Sequence, residues 1–139
     1  MILLLVHAAA TWAMVGFIWT IQVLQYPLMA AVPEHGFARF EQRHRIRVSV
    51  VIALFAPIEL VTAAWLAIAP GEVPLALVLV AWALLAAIWV ATALHYAPLH
   101  GRLSDGFDRA AHRRLVTTNW FRTGAWTARG VLALWMVTF

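Results

Sequence analysis

The sequence contains no cysteine. This absence excludes disulfide bridges, thiolate metal sites and cysteine nucleophiles. Charge is also scarce, because only 12% of the 139 residues are charged, whereas a typical globular domain has about 25%. Hydrophobic residues, by contrast, make up 64% of the chain. The composition therefore predicts an integral membrane protein whose main partner is the lipid bilayer.

Long apolar runs dominate the chain, and each is close to the roughly 20 residues that a helix needs to cross a bilayer. The four runs are residues 2–29, 46–69, 74–99 and 116–139. The first has no basic segment before it and is too long for a signal peptide, so we expect it to stay in the protein. The sequence predicts an all-α fold, a single membrane domain over residues 1–139 built as a bundle of four transmembrane helices.

Basic residues predict the orientation of this bundle. The first and third connections hold eight arginines: Arg39, Arg43, Arg45, Arg47, Arg102, Arg109, Arg113 and Arg114. The second connection, around Glu72, holds none. Because basic residues stay on the cytoplasmic side, we expect the arginine-rich connections in the cytoplasm, both termini outside, and the protein in the inner (cytoplasmic) membrane. The net charge of +4 then needs no nucleic-acid partner.

The cytoplasmic connections are expected to form short helices that lie in the membrane interface. Phe37, Phe40 and His44 recur at helical spacing with arginines beside them, and residues 107–115 repeat the arrangement. Four histidines fall in these connections, where a solvated or headgroup-facing position is the expectation: His35, His44, His100 and His112.

Residues 1–69 and 71–139 resemble each other at an offset of 70 residues. The matches include Trp12 with Trp82, Tyr26 with Tyr96, and the stretch 36–39 with 106–109. They concentrate in Trp, Tyr, Gly, Phe and Arg rather than in the abundant Ala, Leu and Val. We interpret them as an internal repeat of two tandem helical hairpins, related by a pseudo-twofold axis along the membrane normal. Chance similarity in a tryptophan-rich chain is the alternative.

The same offset puts two opposite charges at equivalent positions, Glu59 and Arg129. Both lie near the middle of their spans by helical rise. A lone charge there costs at least about 2.5–3.5 kcal/mol, so such residues face the bundle interior and pair. We therefore expect an intramembrane ion pair between Glu59 and Arg129. Such a pair could serve only to fix helix packing.

Polar residues also predict a pocket in the cytoplasmic half of the bundle. One stripe on the last span has helical spacing: Asn119, Arg122, Trp126 and Arg129. Gln25 on the first span and His95 on the third lie on comparable polar faces. The predicted guest is a small anionic, phenolic or aromatic molecule, bound by Asn119, Arg122, Trp126 and Gln25. The alternative for Arg122 is a side chain that extends to the cytoplasmic surface.

His95 is the predicted catalytic residue, because it alone in that pocket can exchange a proton near neutral pH. The alternative is an aromatic ring at the membrane interface. His7 is a weak haem-ligand candidate, but it lies near the opposite end of the bundle from His95, so one iron cannot use both. No HExxH motif is present. We predict no dedicated metal centre and no cofactor, with haem and quinone left open.

Three stretches carry a resemblance to a known family: "QYPLMAAVPEHGFARFEQRHRIR", the proline-bearing "FAPIEL" and "NWFRT". Together they resemble the small four-helix membrane proteins of the anthrone oxygenase-like superfamily, over the whole chain. The resemblance implies oxygenation of polycyclic phenolic anthrones without a metal. It implies roles for Asn119 and Arg122, in an Asn-x-x-Arg motif, and marks Tyr26-Pro27 as structural. Where the relatives have His before Pro, this chain has Tyr26.

Three functions remain open from the sequence. In the first, an oxidoreductase or oxygenase, His95 takes a phenolic proton while Asn119 and Arg122 hold the oxyanion. In the second, the same pocket binds a lipid or small molecule without catalysis. In the third, the protein is a structural or assembly subunit of a membrane complex. Formation of a homo-oligomer is open in all three.

Overall fold

A computed structural model describes all residues, 1–139, and every element in it is helical. The helices are α1 (Ile2–Met29), α2 (Glu34–Ile68), α3 (Leu75–Ser104), α4 (Arg109–Thr118) and α5 (Trp120–Met136). Only Asn119 separates α4 from α5. The all-α fold predicted from the apolar runs is therefore confirmed.

Three helices, α1, α2 and α3, are long and apolar enough to cross a membrane. Many of their large apolar side chains are exposed, for example Leu24, Val61 and Leu94. An apolar surface of this kind suits contact with lipid. The last helix, α5, has 17 residues and includes Arg122 and Arg129. A fourth membrane span therefore remains a prediction.

The first connection differs from the expected short interfacial helix. Residues 34–68 form one continuous helix of 35 residues, so the prediction of a separate helix before residue 46 is wrong. At the usual helical rise, α2 is about 52 Å long, well beyond the roughly 30 Å of a hydrocarbon core. The other connection does contain a separate short helix, α4, because the Asp108 side chain caps it by accepting from Ala110 N and Ala111 N.

Two of the long helices contain a π-helical segment near the same end of the bundle. These segments are Ile21–Gln25 in α1 and Thr92–Tyr96 in α3. Tyr26 directly follows the first segment, and Tyr96 ends the second. A π-helical turn changes the direction of the side chains around it and is frequent at functional sites. Both tyrosines are buried. The internal repeat that matched them in sequence stays a prediction.

Packing joins α1 to both α2 and α5, and α5 also packs against α3. The main hydrophobic core lies among these helices and includes Met14, Ile18, Phe37, Leu85 and Trp126. The α1–α5 contact is close at Gly130, whose carbonyl oxygen accepts a hydrogen bond of 3.0 Å from Trp12 Nε1. A Cβ atom at Gly130 would lie 3.1 Å from that indole ring, so a larger residue would push the two helices apart.

Candidate functional site

Glu59 and Arg129 lie in contact inside the bundle. Glu59 Oε1 accepts from Arg129 Nη2 at 2.8 Å and from Arg129 Nε at 3.2 Å. The Thr11 hydroxyl donates to the same oxygen at 3.0 Å, and Arg129 Nη1 donates to the carbonyl oxygen of Ala81. The pair thus links α1, α2, α3 and α5, an arrangement that serves helix packing.

His7 belongs to this interior network. Its Nδ1 atom lies 2.8 Å from Thr62 Oγ1, and the ring is buried. The Thr62 hydroxyl also lies within hydrogen-bond distance of the carbonyl oxygens of Ile58 and Glu59. These contacts give His7 a role in helix packing. Its role as a haem ligand remains a prediction from sequence.

Apart from the Glu59–Arg129 network, a second cluster of polar residues surrounds a cavity of about 200 Å³. The cavity is near the end of the bundle that carries the arginine-rich connections. Four helices contribute polar or aromatic residues to its lining: Tyr26 from α1; His44, Arg45 and Ser49 from α2; Thr92, Tyr96 and His100 from α3; Arg122 from α5. Because Tyr26 and Tyr96 adjoin the π-helical segments, those two distortions position side chains at the same cavity.

Arg122 is the buried cation of this cavity. Its side chain is 9% exposed, and Nε has no hydrogen-bond partner. Its Cζ atom lies over the Tyr96 ring, 4.7 Å from the centroid, a contact that contributes roughly 0.5–2 kcal/mol. No salt bridge reaches this guanidinium, because Glu59 pairs with Arg129 and Glu41 contacts His100.

A hydrogen-bonded chain runs beside Arg122 from Glu41 through His100 to Tyr26. The Nδ1 atom of His100 lies 2.7 Å from Glu41 Oε1, and its Nε2 atom lies 3.0 Å from Tyr26 Oη. With the proton assigned to Nδ1, His100 donates to the carboxylate and accepts from the tyrosine hydroxyl. A carboxylate, an imidazole and a hydroxyl in this order can hold and move a proton.

The histidines of the connections are more buried than expected. The solvated or headgroup-facing positions predicted for His44, His100 and His112 are wrong, since His44 and His112 are buried and His100 is largely covered. His112 donates through Nε2 to the carbonyl oxygen of Tyr26 at 2.8 Å. His44 and His100 are covered because α2 continues through this region and packs against the end of α3, and His112 is covered because α4 packs against the ends of α1 and α3. Only His35 is exposed.

Two of the predicted binding residues, Asn119 and Trp126, lie outside the cavity lining. Asn119 is buried and donates through Nδ2 to Gln22 Oε1 at 2.8 Å, while Gln22 in turn donates to the carbonyl oxygen of Val116. Trp126 is part of the main hydrophobic core, and Arg129 Cζ lies 5.9 Å from its ring. The predicted single pocket is therefore divided, with Arg122 at the cavity and Asn119 and Trp126 in helix packing.

His95 and Gln25 also lie apart from the cavity. His95 is partly buried, with Nε2 3.0 Å from Thr118 Oγ1. The next residue, Tyr96, lines the cavity instead, because adjacent residues of a helix point in directions roughly 100° apart. Gln25 lines a neighbouring groove between α1 and α2, together with Phe17 and His44. The catalytic role of His95 and the binding role of Gln25 remain predictions from sequence.

Sequence reasoning missed most of the residues that meet at this end of the bundle. Glu41 and His44 carried a usable signal, since a spacing of three places them on one face of a helix. Tyr26 and Tyr96 carried another, because they match in the internal repeat. His100 had no local signal, as its partners lie far away in sequence. Glu41, His44 and His100 also form a group that suits a metal ion.

Comparison with protein-family models, with curated proteins and with solved structures gives no match in any of the three. The resemblance to the anthrone oxygenase-like superfamily therefore rests on the short sequence stretches alone. The fold and site define a class in physical terms: an all-α protein with three helices fit to span a membrane and a cavity with a buried arginine in its wall.

Proposed function

We propose that this protein is a small integral membrane protein that binds a small anionic or phenolic molecule beside Arg122. The observation that carries the proposal is a buried guanidinium at a cavity, with no acidic partner. An uncompensated buried charge costs several kcal/mol. A guest with a negatively charged or strongly polar oxygen would offset that cost, as carboxylates and phenolates do through charge-assisted hydrogen bonds.

The cavity opens to the surface of the bundle, and its size limits the part of a guest that it can enclose. A volume of about 200 Å³ is comparable with the roughly 150 Å³ cavity that holds a benzene molecule. Phe17, Ile21 and Ile52 supply apolar walls, and the tyrosine rings supply aromatic ones. These features favour a molecule with one ring or a short acyl group and one acidic oxygen. A polycyclic phenol would enter only in part.

The proposal includes a location for the site. With four spans, both termini outside and the arginine-rich connections in the cytoplasm, the cavity would lie at the cytoplasmic end of the bundle. The support is the distribution of the eight arginines and the position of His44 and His100, just outside the predicted spans 46–69 and 74–99. A guest would then enter from the cytoplasmic face of the inner membrane.

A second candidate function is catalysis on the same guest. The hydrogen-bonded chain of Glu41, His100 and Tyr26 favours it, because this chain ends at a cavity where an acidic hydroxyl would bind. The Tyr26 hydroxyl would take the proton of a phenolic guest while passing its own proton to His100 Nε2. The sequence had predicted this role of proton acceptor for His95.

The test is native mass spectrometry of the protein released from mild detergent. The wild type is compared with Arg122→Gln, which removes the charge, and with Arg113→Gln, a control at an exposed arginine of α4. We expect the wild type and the control to carry one small organic mass that Arg122→Gln loses. Retention of the same mass by Arg122→Gln would contradict the proposal, because the guest would then bind without this charge. Absence of the mass from the wild type would contradict it too and would favour a structural subunit.

The same spectra separate the two candidate functions. Tyr26→Phe keeps the aromatic ring and removes the hydroxyl of the proton chain. A simple binder should carry the same guest mass as the wild type. An enzyme blocked at this step should carry the unreacted compound, with a different mass.

A further inference from the structure

We infer that Glu41, His44 and His100 form a binding site for one divalent transition-metal ion. Each residue offers one ligand atom, and these atoms lie within 4.8 Å of one another. Small adjustments of the side chains would bring three such atoms to the roughly 2.0–2.2 Å that Zn²⁺ requires. The inference is independent of the anionic guest, because none of the three ligands is Arg122.

Unused bonding capacity supports the site. Glu41 is fully buried, and its Oε2 atom has no hydrogen-bond partner. A buried carboxylate oxygen without a donor or cation is unfavourable. His44 is buried too, yet its ring takes part in none of the protein's hydrogen bonds. An unpartnered carboxylate oxygen and an unpartnered imidazole therefore lie in one small space, and a single cation would satisfy both.

The surrounding residues hold the ligands in place. Glu41 and His44 share one face of α2, and His100 approaches from α3. The Phe40 ring stacks on His44, with centroids 6.3 Å apart and planes 8° apart. With an ion on Nδ1, His100 would carry its proton on Nε2 and donate it to Tyr26 Oη, 3.0 Å away. This tautomer replaces the His100–Glu41 hydrogen bond of the metal-free protein. Contacts of this kind fix the orientation of metal-binding histidines in other proteins.

The two arginines that line the cavity with His44 and His100 have other contacts and form no salt bridge with Glu41. Arg45 Nη1 donates to Ser104 Oγ at 2.9 Å, and Arg122 lies on the Tyr96 ring. Glu41 is thus left as the one acidic group of the cluster. It supplies the negative charge that a divalent ion needs.

The donor set selects the class of metal. Two imidazole nitrogens and one carboxylate oxygen suit Zn²⁺, Fe²⁺ and similar ions, whereas Ca²⁺ and Mg²⁺ prefer oxygen ligands throughout. Three protein ligands also leave a coordination position free. Because His44 and His100 line the cavity, an ion held by them would adjoin the space that a small molecule can enter.

The test is a metal titration of the whole protein in detergent, purified with an affinity tag that lacks histidine and treated with a chelator. Co²⁺ is added and followed by its visible absorption, and Zn²⁺ then competes for the site. We expect one equivalent to bind. Substitution of groups that merely support a metal ligand costs about 10–100-fold in affinity, so His44→Gln and His100→Gln should each lower affinity at least about tenfold. His35→Gln, at the exposed histidine of α2, should leave it unchanged.

Several results would overturn the inference. One is a folded wild type that binds neither Co²⁺ nor Zn²⁺ stoichiometrically. Another is equal loss in His35→Gln, which would indicate adventitious surface binding. If the histidine variants fail to fold, as judged by size-exclusion elution and helical circular dichroism, Glu41→Gln keeps the shape of the side chain and removes the charge. Unchanged Co²⁺ affinity in that variant would also refute the site.

Discussion

The two arginines of α5 have the same chemistry and opposite surroundings. Arg129 donates to Glu59 and to the carbonyl oxygen of Ala81, so its charge and several of its donors are satisfied within the bundle. Arg122 packs against the Tyr96 ring, and its Nε atom has no hydrogen-bond partner. Since guanidinium stays charged at any physiological pH, this difference supports the proposed binding role of Arg122, whereas Arg129 is paired within the bundle.

Removal of the Glu59 carboxylate should lower the stability of the protein, because the Arg129 charge would then be buried without a partner. Glu59→Gln keeps the shape of the side chain but leaves Arg129 as an uncompensated cation. We expect the free energy of unfolding to fall by about 3–5 kcal/mol, the range for breaking one side of a buried pair. Reversible unfolding in detergent, followed by circular dichroism, measures the change.

Two further variants make this prediction specific. Glu72→Gln, in the exposed turn between α2 and α3, should change stability by no more than about 0.5 kcal/mol. The double variant Glu59→Gln with Arg129→Gln should recover part of the loss, because no charge is then left buried. A single Glu59→Gln variant as stable as the wild type would contradict the account of the pair.

The contact between Glu59 and Arg129 could be predicted from the sequence more readily than the set of residues that line the cavity. A carboxylate and a guanidinium deep in apolar spans have few ways to avoid lipid, so Glu59 and Arg129 could be matched from their depth and from the 70-residue offset of the internal repeat. The contact of His100 with Glu41 depends on how far α2 and α3 extend beyond their apolar runs. Nothing in the local sequence of His100 encodes that length.

At the scale of helices, the contact of α1 with α5 depends on a small residue at Gly130. Gly130→Val would place methyl groups against the Trp12 ring and Val15, which already lie 3.1 Å from the position of a Cβ atom. Valine is a slightly better helix former than glycine, so any loss comes from the clash. We expect a loss of about 1–3 kcal/mol in unfolding free energy, measured by thermal unfolding in detergent.

Gly124 provides the matched control on the same helix. A Cβ atom there would have nothing within 4 Å, so Gly124→Ala should be neutral or should stabilise the protein by up to about 1 kcal/mol. If Gly130→Val is as stable as Gly124→Ala, the two helices can separate without cost. The close contact would then not hold the bundle together.

Helix boundaries show why hydropathy recovers the fold class but not every element. The apolar run 46–69 marks the part of α2 that suits lipid, which ends at Ile68. The helix itself starts at Glu34, because the spacing of Phe37, Phe40 and His44 is helical and no proline interrupts the chain before Pro57. That same spacing is typical of a separate interfacial helix. Composition cannot distinguish the two, and it gives no sign of the π-helical segments that direct Tyr26 and Tyr96 to the cavity.

For the whole molecule, polarity divides into two regions along the bundle. In the first region, Glu59 and Arg129 neutralise each other inside the bundle, although Glu59 Oε2 has no hydrogen-bond partner. In the second, the cavity near the arginine-rich connections holds Arg122 without a salt bridge. If the proposed site binds a guest, that guest would enter from the side of the membrane that holds the arginine-rich connections. The side is set by topology, so the number of spans and their orientation decide where a guest or metal ion can come from.

The chain contains no cysteine, so a single introduced cysteine is the only thiol that a labelling reagent can modify. The topology can therefore be measured one position at a time. Glu72→Cys, Asp105→Cys and Thr138→Cys are all at exposed positions. We expect a membrane-impermeant maleimide to label the Glu72→Cys variant in cells whose outer envelope has been permeabilised while the inner membrane is intact. Asp105→Cys should react only after the inner membrane is permeabilised, because it lies in an arginine-rich connection.

Thr138→Cys decides whether α5 crosses the membrane. Four spans put this residue on the same side as residue 72, so it should be labelled in intact cells. If α5 instead packs against the bundle from the cytoplasmic side, the variant should behave like Asp105→Cys. That result would reduce the spans to three, and Arg129 would then reach Glu59 from a helix that enters the membrane without leaving on the other side. Labelling of Asp105→Cys in intact cells would reverse the orientation and move the cavity to the outer face.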